Sequence, residues 1–570
     1  MAQENTTAEC DVVIVGGGPV GLLLAYQLKR FGVSAAIFEK HVKETQDAYG
    51  RAVALFPRTM EQLDQLDLGE AMLQLGFACR NSVTYKNGER IIPGRVWTFM
   101  ENIQDTTYDF VLVLRQMFTE AILREHLDAI NASYYQAIEC IDFAIDESVQ
   151  AGDYPITSTF VNSKTGQNLK VKSKYLIGAD GGRSFVRRVS GIPLDGDTSE
   201  DKWIRIDGIV ETDMPITRAY GAIESKTHGN VLWAPLDHGA TRIGYSYSAE
   251  IAAKYPDGVT EEVAVQEAIE CMKPFNLRFK EVHWWTLYTI AQRIAREFST
   301  KDRVFLCGDA AHTHSSGAAQ GLNTGIHDAV NLGWKLALHI RAATKPEVLR
   351  TYSSERLAVV NRLINYDKDI SVLMSHKWPS WYTGDPDADP YVVLGEIFDQ
   401  AASFNTGLGI SYPPNVLNHA STVDLNVLVG ARPPDVDLMM PGINTAIRFQ
   451  RVTRNVAKFW VVVYTGNPQS TKTSLLELES FLETAKELTT NRAIGWITIS
   501  PTVGFSPYEA LGMNPFGNLY FDPTNVAHEK IGISLETGGV IVLRPDGLVS
   551  SAGHIDGPSI EAYFKNIMDL

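Results

Sequence analysis

The pattern of apolar and polar positions near the start of the chain predicts a strand–turn–helix–strand unit. Residues 11–15 (DVVIV) form a continuous β-branched run, which is typical of a buried parallel strand. Residues 16–21 are a glycine-rich turn, 22–31 have helical periodicity, and 33–38 are a second apolar run. Together they predict a βαβ unit of about 30 residues.

The same architecture continues later in the chain after an interruption. Residues 58–75 and 116–130 have helical patterns, and 137–189 read mainly as strands. Residues 303–306 return to a buried-strand pattern, and a long helix is predicted around 325–342. The core that begins at residue 11 is therefore predicted to be discontinuous in sequence.

The intervening segment has a different pattern. Short alternating runs such as 242–247 (RIGYSY) and 281–290 predict a separate, mostly antiparallel sheet within 191–290. Residues 378–389 are rich in turn formers and mark a further boundary, and strands alternate with helices beyond residue 424.

These patterns predict an α/β protein with a Rossmann-like domain, an inserted β-rich domain and a C-terminal α/β domain. The predicted boundaries are 1–190 with 291–380 for the Rossmann-like domain, 191–290 with part of 76–110 for the β-rich domain, 381–423 for a linker and 424–570 for the C-terminal domain.

The composition of the chain excludes several functional classes of protein. A chain of 570 residues is too long for one core, and its net charge of −16 argues against binding nucleic acid or an anionic membrane. The five cysteines are scattered, which predicts no disulfide framework, zinc knuckle or dithiol centre. Residues 1–9 are polar, which predicts no signal peptide, and we expect a cytoplasmic protein with no membrane span.

The glycine-rich turn is the first candidate site. Gly16 permits the tight turn, Gly18 lets the backbone approach a pyrophosphate, and Gly21 lets the helix pack on the strand. Glu39 ends the second strand, where a carboxylate can bind a ribose diol. Glycines also cluster in purely structural turns, but the agreement of strand, helix, second strand and acid favours an adenine dinucleotide site.

A second candidate site follows the buried strand at 303–306. Asp309 is placed to bind a polyol, and the amides of Gly321, Leu322 and Asn323 would lie at a helix N-terminus, where they stabilise negative charge. The structural alternative is that Asp309 simply caps a helix.

Histidines near Asp309 and an Asp-Gly turn earlier in the chain are two further candidate features. A metal site formed by Asp309, His312 and His314 is disfavoured, because the pattern shows no further carboxylate or cysteine that would converge on them. Asp180 belongs to an Asp-Gly turn after the strand at 175–177, and such a turn is in most proteins only structural.

In this order the motifs resemble those of the aromatic-hydroxylase class of flavoprotein monooxygenases, and most closely its phenol hydroxylase branch. The matching segments are GGGPVG with Glu39, GRAVALFPRT at 50–59, RQ at 115–116, ADGGRSFVR at 179–187, YTIAQR at 288–293, and GDAAHTH with QGLNTGIHDAVNLGWKLA at 308–337. The C-terminal unit is similar to the thioredoxin-like domain of the longer members, but it contains no cysteine and cannot carry out dithiol chemistry.

The resemblance implies an FAD-binding domain and a set of site residues. Residues implied to contact FAD are Gly16, Gly18, Pro19, Gly21, Glu39, Arg51, Gln116, Asp180, Asp309, Gly321, Leu322 and Asn323. Asp180 is also implied in NAD(P)H binding, and Tyr288 is implied to lie near flavin and substrate. Tyr288 and Arg51 are the predicted catalytic residues, the alternative for Tyr288 being a packed strand tyrosine.

Two departures from the family pattern concern the loop beside the reactive edge of the flavin. Ser316 stands where the family usually has proline, and Ala319 where it has glycine. The substrate-side aspartate of the branch is also missing, since Val53 occupies the nearest equivalent position.

The implied activity is hydroxylation of a phenolic substrate by NAD(P)H and O₂ through a flavin C4a-hydroperoxide, in a homodimer. Arg205, Arg242, Tyr245 and Tyr247 lie in the β-rich unit expected to cover the substrate. Alternatives are the same flavin chemistry with a Baeyer–Villiger, dearomatising, epoxidising or decarboxylating outcome, a non-catalytic FAD-binding scaffold, and, on the first motif alone, a nicotinamide-only dehydrogenase.

Overall fold

The structure, a computed structural model, consists of β-sheets with helices packed on them. It describes residues 8–43, 52–149, 153–225, 227–315, 317–443 and 445–570, without the side chains of 199–201. Within these residues, none of the helices is both long and apolar enough to cross a membrane.

The first sheet is built around the glycine-rich turn. Its five parallel strands lie in the order Val304–Leu306, Asn168–Gly178, Ala8–Val15, Ala35–Glu39 and Ser133–Gln136. Strands Ser299–Thr300, Ile156–Asn162 and Ile138–Ile145 extend it in antiparallel pairings. Val12, Val13 and Ile14 are completely buried, which explains their unbroken apolar run.

Two helices from distant parts of the sequence pack together beside this sheet. Pro19–Arg30 follows the glycine-rich turn, and Gly321–Ile340 begins 300 residues later, after the strand Val304–Leu306. The elements of this core therefore come from distant parts of the sequence.

The second sheet is mostly antiparallel. Its strands lie in the order His312–Thr313, Leu277–Ala295, Leu194–Thr212, Thr241–Tyr247, Gly229–Pro235, Tyr220–Ser225, Ser82–Lys86 and Glu89–Ile91. Helices Ala249–Lys254 and Glu261–Cys271 cover one face. The long helix Pro346–Met374 contributes Ile370, Leu373 and Met374 to the core on the other face.

The structure differs from the sequence pattern in two places. The helical pattern at 58–75 is two helices, Pro57–Gln65 and Gly69–Leu75, because Asp67 between them has a φ of +63°. The segment predicted as a linker contains the helix Pro390–Gln400, which packs buried apolar side chains into the second core.

The C-terminal domain has its own sheet. The strand order is Ala446–Arg448, Asp437–Met439, Asn518–Phe521, Ile494–Ser500, Phe459–Tyr464, Gly539–Leu543 and Val549–Gly553, with the central three parallel. Its longer helices are Pro468–Thr484 and Gly557–Ile567. The similarity to thioredoxin-like domains remains a prediction.

Shorter elements complete the described chain. The small third sheet contains Ala54–Leu55, Val111–Val113 and Phe77–Cys79. The remaining α-helices are Gln116–Ala129, Phe185–Val189, Ala402–Asn405, Phe449–Val452, Glu487–Thr490, Pro507–Leu511 and Val526–Ile531.

Candidate functional site

The glycine-rich turn has a geometry that demands glycine at two positions and leaves a third open. Gly16 has a φ of +110°, and a Cβ there would lie 2.3 Å from the Ala179 carbonyl oxygen. A Cβ on Gly21 would lie 2.1 Å from the Gly16 carbonyl oxygen, so glycine lets the helix close on the strand. A Cβ on Gly18 would meet no protein atom within 4 Å. The turn is thus tight on its inner side and open at Gly18.

The amides at the start of the following helix are available to an anion. Gly18 is the N-cap residue and has no capping side chain, and Pro19 is at the first helical position. Glu39 fixes the turn from the side, since its carboxylate accepts hydrogen bonds from Gly17 N at 2.7 Å and His41 N at 2.9 Å. The arrangement suits a phosphate at the helix N-terminus with a buried acid beside it.

Asp309 lies in a short 3₁₀ turn, Gly308–Ala310, directly after the strand Val304–Leu306. Gly308 and Ala310 are buried, but the Asp309 side chain is exposed. No hydrogen bond or ion pair from the described residues reaches its carboxylate. This group is therefore free to bind hydroxyls of a ligand.

The helix Gly321–Ile340 packs at its start against the helix Pro19–Arg30. This contact brings the Asp309 turn next to the glycine-rich turn. A Cβ on Gly325 would lie 2.7 Å from Val20 Cγ2, and one on Gly308 would lie 3.0 Å from the same atom. The N-cap residue of the second helix, Gln320, does not cap it with its side chain, which instead donates to Asn405 O at 2.8 Å. The first-turn amides of this helix thus lack a side-chain cap.

The residues predicted to present those amides have the expected location. Gly321 and Leu322 begin the helix Gly321–Ile340, and Asn323 follows them. The Asn323 side chain has a further role that the sequence did not reveal. It accepts hydrogen bonds from Phe56 N at 2.8 Å and Thr59 Oγ1 at 2.7 Å, which fixes the helix start against the segment after residue 53.

Asp180 caps a helix and supports the Asp309 turn indirectly. Its carboxylate accepts hydrogen bonds from Ser184 Oγ at 2.5 Å and from Phe185 N at 2.6 Å. Arg187, in the helix thus capped, donates to Ala310 O at 2.7 Å. The Asp-Gly turn therefore braces the turn that carries Asp309.

Gln116 begins the helix Gln116–Ala129, directly after the third-sheet strand Val111–Val113. Its backbone amide donates to Ala52 O at 2.9 Å and its side chain donates to Glu120 at the same distance. The preceding residue, Arg115, forms an ion pair with the buried Asp237 of the second sheet's turn at 2.6 Å. Predicted residues Arg51 and Ser316 lie outside the residues the structure describes.

Tyr288 lines a small cavity between the second sheet and the long helix Pro346–Met374. The residues around this cavity are Trp203, Arg205, Tyr288, Ile290, Ser315, Gly317, Ser371 and Met374. The Arg205 guanidinium lies 5.7 Å from the centre of the Tyr288 ring. Ser315 and Gly317 flank position 316, so the cavity adjoins the loop that leads to the helix start at Gly321.

Alternation along the strands separates the four residues expected to cover the substrate. Arg205 lines the cavity, and Arg242 lies on the same face, where it binds Asp207 at 2.6 Å and 2.8 Å. Tyr245 points to the opposite face, and its hydroxyl donates to Ala264 O. Tyr247 packs in that same outer core. Only the two arginines therefore face the site, because residues of opposite parity point to opposite faces.

A buried aspartate that sequence reasoning missed organises the Asp309 turn. Asp328 accepts hydrogen bonds from Gly308 N at 2.9 Å, His312 Nε2 at 2.8 Å and Arg356 Nε at 2.6 Å. Burial raises the pKa of this carboxyl, but Arg356 and His312 outweigh burial and lower the pKa to about 2. The available signal was a carboxylate within the mainly apolar stretch 326–334 of the helix.

Metal and thiol chemistry have no visible site in the described residues. No three of the described histidine, cysteine, aspartate and glutamate side chains are grouped to hold a metal ion. His312, considered above as a ligand, instead binds Asp328. The five cysteines are buried and unpaired.

Family models match most of the chain. The model described as "FAD binding domain" matches residues 9–367, which contain every predicted site residue. A second model, "Phenol hydroxylase, C-terminal dimerisation domain", matches residues 505–570.

Curated relatives match over nearly the full length. The chain is 29% identical to a 3-hydroxybenzoate 4-monooxygenase of Comamonas testosteroni, covering 99% of this chain and 96% of the relative. It is 26% identical to a phenol 2-monooxygenase of Aspergillus fumigatus, covering 97% and 95%.

Solved structures show the same fold. The flavin-dependent monooxygenase PieE, in complex with FAD and substrate, gives a TM-score of 0.74 at 20% identity over 98% of both chains. An aklavinone-11 hydroxylase with FAD and aklavinone also gives 0.74, at 19% identity over 100% of both chains. The match over residues 9–367 shows that the chain belongs to the FAD binding domain family, and its C-terminal residues match the dimerisation domain of phenol hydroxylases.

Proposed function

We propose that the protein is a monooxygenase that uses NAD(P)H and O₂ to hydroxylate a phenolic substrate. The observation that carries the proposal is that the candidate cofactor-binding elements lie together and lead directly to the candidate substrate cavity. The glycine-rich turn, the Asp309 turn and the start of helix Gly321–Ile340 meet at Val20, and the loop before that helix runs to the cavity of Tyr288.

The described residues fit an FAD molecule at one end of this site. The open face of Gly18 and the uncapped amides after it suit the pyrophosphate, Glu39 the adenosine ribose, and the unpaired Asp309 the ribityl chain. The amides of Gly321 and Leu322 would face the flavin ring, where a helix N-terminus favours negative charge. When bound, the flavin supplies the transfer of electrons from NAD(P)H and the activation of O₂, which side chains cannot provide.

Other predicted residues have supporting roles in the proposal. Gln116, with Arg51, would contact the cofactor beside the ion pair of Arg115 with Asp237 in a turn of the second sheet. Asp180 supports the cofactor turn through Arg187 and Ala310 and is proposed to assist NAD(P)H binding.

The residues that line the Tyr288 cavity have the chemical character that a phenolic ring needs, but the cavity itself has room for about one water molecule, so a phenol would have to displace its walls. Trp203, Ile290 and Met374 give it apolar walls, which exclude water from the reacting atoms. Tyr288 brings a hydroxyl that can share a proton with the substrate hydroxyl. Arg205 places a positive charge beside it, which favours phenolate character in the substrate.

Two further features belong to the proposal. The match to a phenol hydroxylase dimerisation domain supports a homodimer. The five buried thiols, none in a disulfide, support a reducing compartment, and we assign the enzyme to the cytoplasm.

The test is oxidation of NADH and of NADPH by the purified, FAD-loaded protein across a panel of phenols, with products and hydrogen peroxide quantified. We expect a phenol that stimulates oxidation and yields a hydroxylated product. Tyr288→Phe should lower kcat by about tenfold or more, because a positioned proton-sharing group is lost. Tyr135→Phe, at a tyrosine 47% exposed on the first sheet, is the matched control.

The alternatives give distinct results. A rearranged or decarboxylated product would favour another oxygenation outcome of the same flavin. Failure of every phenol to stimulate oxidation by a flavin-loaded protein would favour a non-catalytic scaffold, and a preparation that binds no flavin would contradict the proposal at its first step.

A further inference from the structure

The described residues 314–315 and 317–320, called the loop here, connect the Tyr288 cavity to the helix start at Gly321. Ser315 and Gly317 line the cavity, and Ala319 near the end of the loop has a φ of +53°. A non-glycine residue in this region is strained by about 1 kcal/mol or more, so contacts from outside the loop must hold it. The question is which residues do so.

Asp367, on the long helix Pro346–Met374, holds the start of the loop through hydrogen bonds to Ser315, and we call this pair of residues the clamp. The Asp367 carboxylate accepts hydrogen bonds from Ser315 N at 2.7 Å and Ser315 Oγ at 2.5 Å. Its third donor is Gln292 Nε2, at 2.7 Å, from the strand that carries Tyr288. Ser315 Oγ in turn accepts from Gly317 N at 3.0 Å. One buried carboxylate thus binds the Ser315 amide directly and the Gly317 amide through the Ser315 hydroxyl.

Burial makes the hydrogen bonds between Asp367 and Ser315 costly to break. Asp367 is completely buried, and within the described residues it forms no ion pair with a cation. A buried carboxylate held only by neutral donors needs all of them, since an unmet acceptor there is costly. Two of its three donors belong to Ser315, so displacement of the loop would expose the charge to an apolar environment.

A second contact holds the other end of the loop. Asn323 Nδ2 donates to Ala319 O at 3.1 Å and to Ala54 O at 2.9 Å. The loop is therefore fixed at both ends by side chains of two different helices. Ser371 and Met374, one and two turns beyond Asp367, reach the same cavity.

We infer that Asp367 is a positioning residue of the hydroxylation site, acting through Ser315 to fix the loop between the substrate cavity and the flavin. This inference rests on the proposed function. A loop that is held keeps the cavity closed to water while oxygen transfer to the substrate takes place. A loop that is released admits water, and NAD(P)H oxidation then ends in hydrogen peroxide.

The variants that test this are Ser315→Ala, which removes the shared hydroxyl, and Asp367→Asn, which removes the charge at nearly constant shape. Ser315→Thr keeps the hydroxyl and should restore the clamp. Asp369→Asn is the matched control, because this residue lies on the same helix and, among the described residues, accepts only from the exposed Trp381 Nε1. All are compared as FAD-loaded proteins.

Two readouts are combined: product formed per NAD(P)H oxidised, and hydrogen–deuterium exchange of the amides at 314–320. Ser315→Ala and Asp367→Asn should lower the product ratio about threefold or more and speed exchange of this loop about tenfold, with FAD content unchanged. A tenfold change in exchange corresponds to about 1.4 kcal/mol, the scale of one lost hydrogen bond. Ser315→Thr and Asp369→Asn should behave as wild type.

Wild-type exchange and wild-type product ratio in Ser315→Ala would overturn the inference, even if Asp367→Asn proved too unstable to measure. Equal loss in Ser315→Thr and Ser315→Ala would also overturn it. If the wild-type protein forms no oxygenated product from any phenol, the proposed function fails instead, and the exchange experiment still decides whether Asp367 holds the loop.

Discussion

Trp334 donates its indole N–H to the Asp546 carboxylate over 3.0 Å, which joins the helix that starts at the cofactor site to the C-terminal domain. Arg544 lies beside this contact and forms ion pairs with Glu355 at 2.6 Å and Asp546 at 2.8 Å. Glu355 also binds Lys335 at 2.7 Å. The two domains therefore share a buried polar interface whose partners come from far apart in the sequence.

Replacing Arg544 with methionine should destabilise the protein by about 3–5 kcal/mol. The substitution leaves Glu355 buried with one cation fewer, and an uncompensated buried charge is costly. Denaturant unfolding measures the loss. The control is Arg350→Met, which breaks an exposed pair with Asp302 at 2.9 Å and should cost less than about 1 kcal/mol. Equal losses in the two variants would show that the interface is not a stabilising one.

Gly18 and Gly21 of the glycine-rich turn should respond differently to alanine. Gly21→Ala places a methyl group 2.1 Å from a carbonyl oxygen and should prevent the helix from packing, giving insoluble or unfolded protein. Gly18→Ala meets no protein atom, so apoprotein stability should change by no more than about 0.5 kcal/mol. FAD affinity measured by flavin fluorescence should nevertheless fall at least tenfold. Unchanged FAD affinity in Gly18→Ala would place the pyrophosphate elsewhere.

Asp309→Asn should separate cofactor binding from folding. Because no described residue binds the Asp309 carboxylate, its removal should leave the unfolding of the apoprotein unchanged within about 0.5 kcal/mol. FAD affinity should fall about tenfold, since a charged hydrogen-bond acceptor contributes about 1.5 kcal/mol or more. The exposed Asp257 provides the control, and its asparagine variant should bind FAD as wild type does. A loss of apoprotein stability in Asp309→Asn would instead support the structural alternative of a helix cap.

The Asp328 interactions should make stability depend on acid pH. The pKa of this carboxyl is lowered from 3.8 to about 2 in the folded protein, so its stabilising contribution is fully present above about pH 4. The contribution, about 2 kcal/mol, is lost as pH falls from about 4 towards 2. The difference in unfolding free energy between wild type and Asp328→Asn should be constant from pH 7 to 5 and shrink below pH 4. A difference that grows on acidification would contradict this sign.

The parts of the site that lie close together in sequence were predictable. The turn from Gly16 to Gly21 and the start of the helix at Gly321 have local signals, because glycine, proline and apolar periodicity act over a few residues. The discontinuous core was also predictable, since residues 303–306 repeat the buried-strand pattern of 11–15.

The parts of the site that depend on partners distant in sequence were not predictable. Nothing in the neighbourhood of Asp367 indicates that it binds Ser315, which is 52 residues away. The helix Pro390–Gln400 reads as part of a linker, because only the tertiary core shows where its apolar side chains pack. Tyr245 was expected to cover the substrate together with Arg205. The two side chains point to opposite faces because of the register between their strands, which only the pairing of the strands sets.

The most direct test of the whole account is the origin of the oxygen atom in the product. The FAD-loaded protein is supplied with NAD(P)H, the phenol that best stimulates oxidation, and ¹⁸O₂ in ordinary water, and the product is analysed by mass spectrometry. We predict a hydroxylated phenol that carries one ¹⁸O atom per molecule. A hydroxylated product whose new oxygen comes from water, or oxidation of NAD(P)H without any labelled product, would contradict the proposed function.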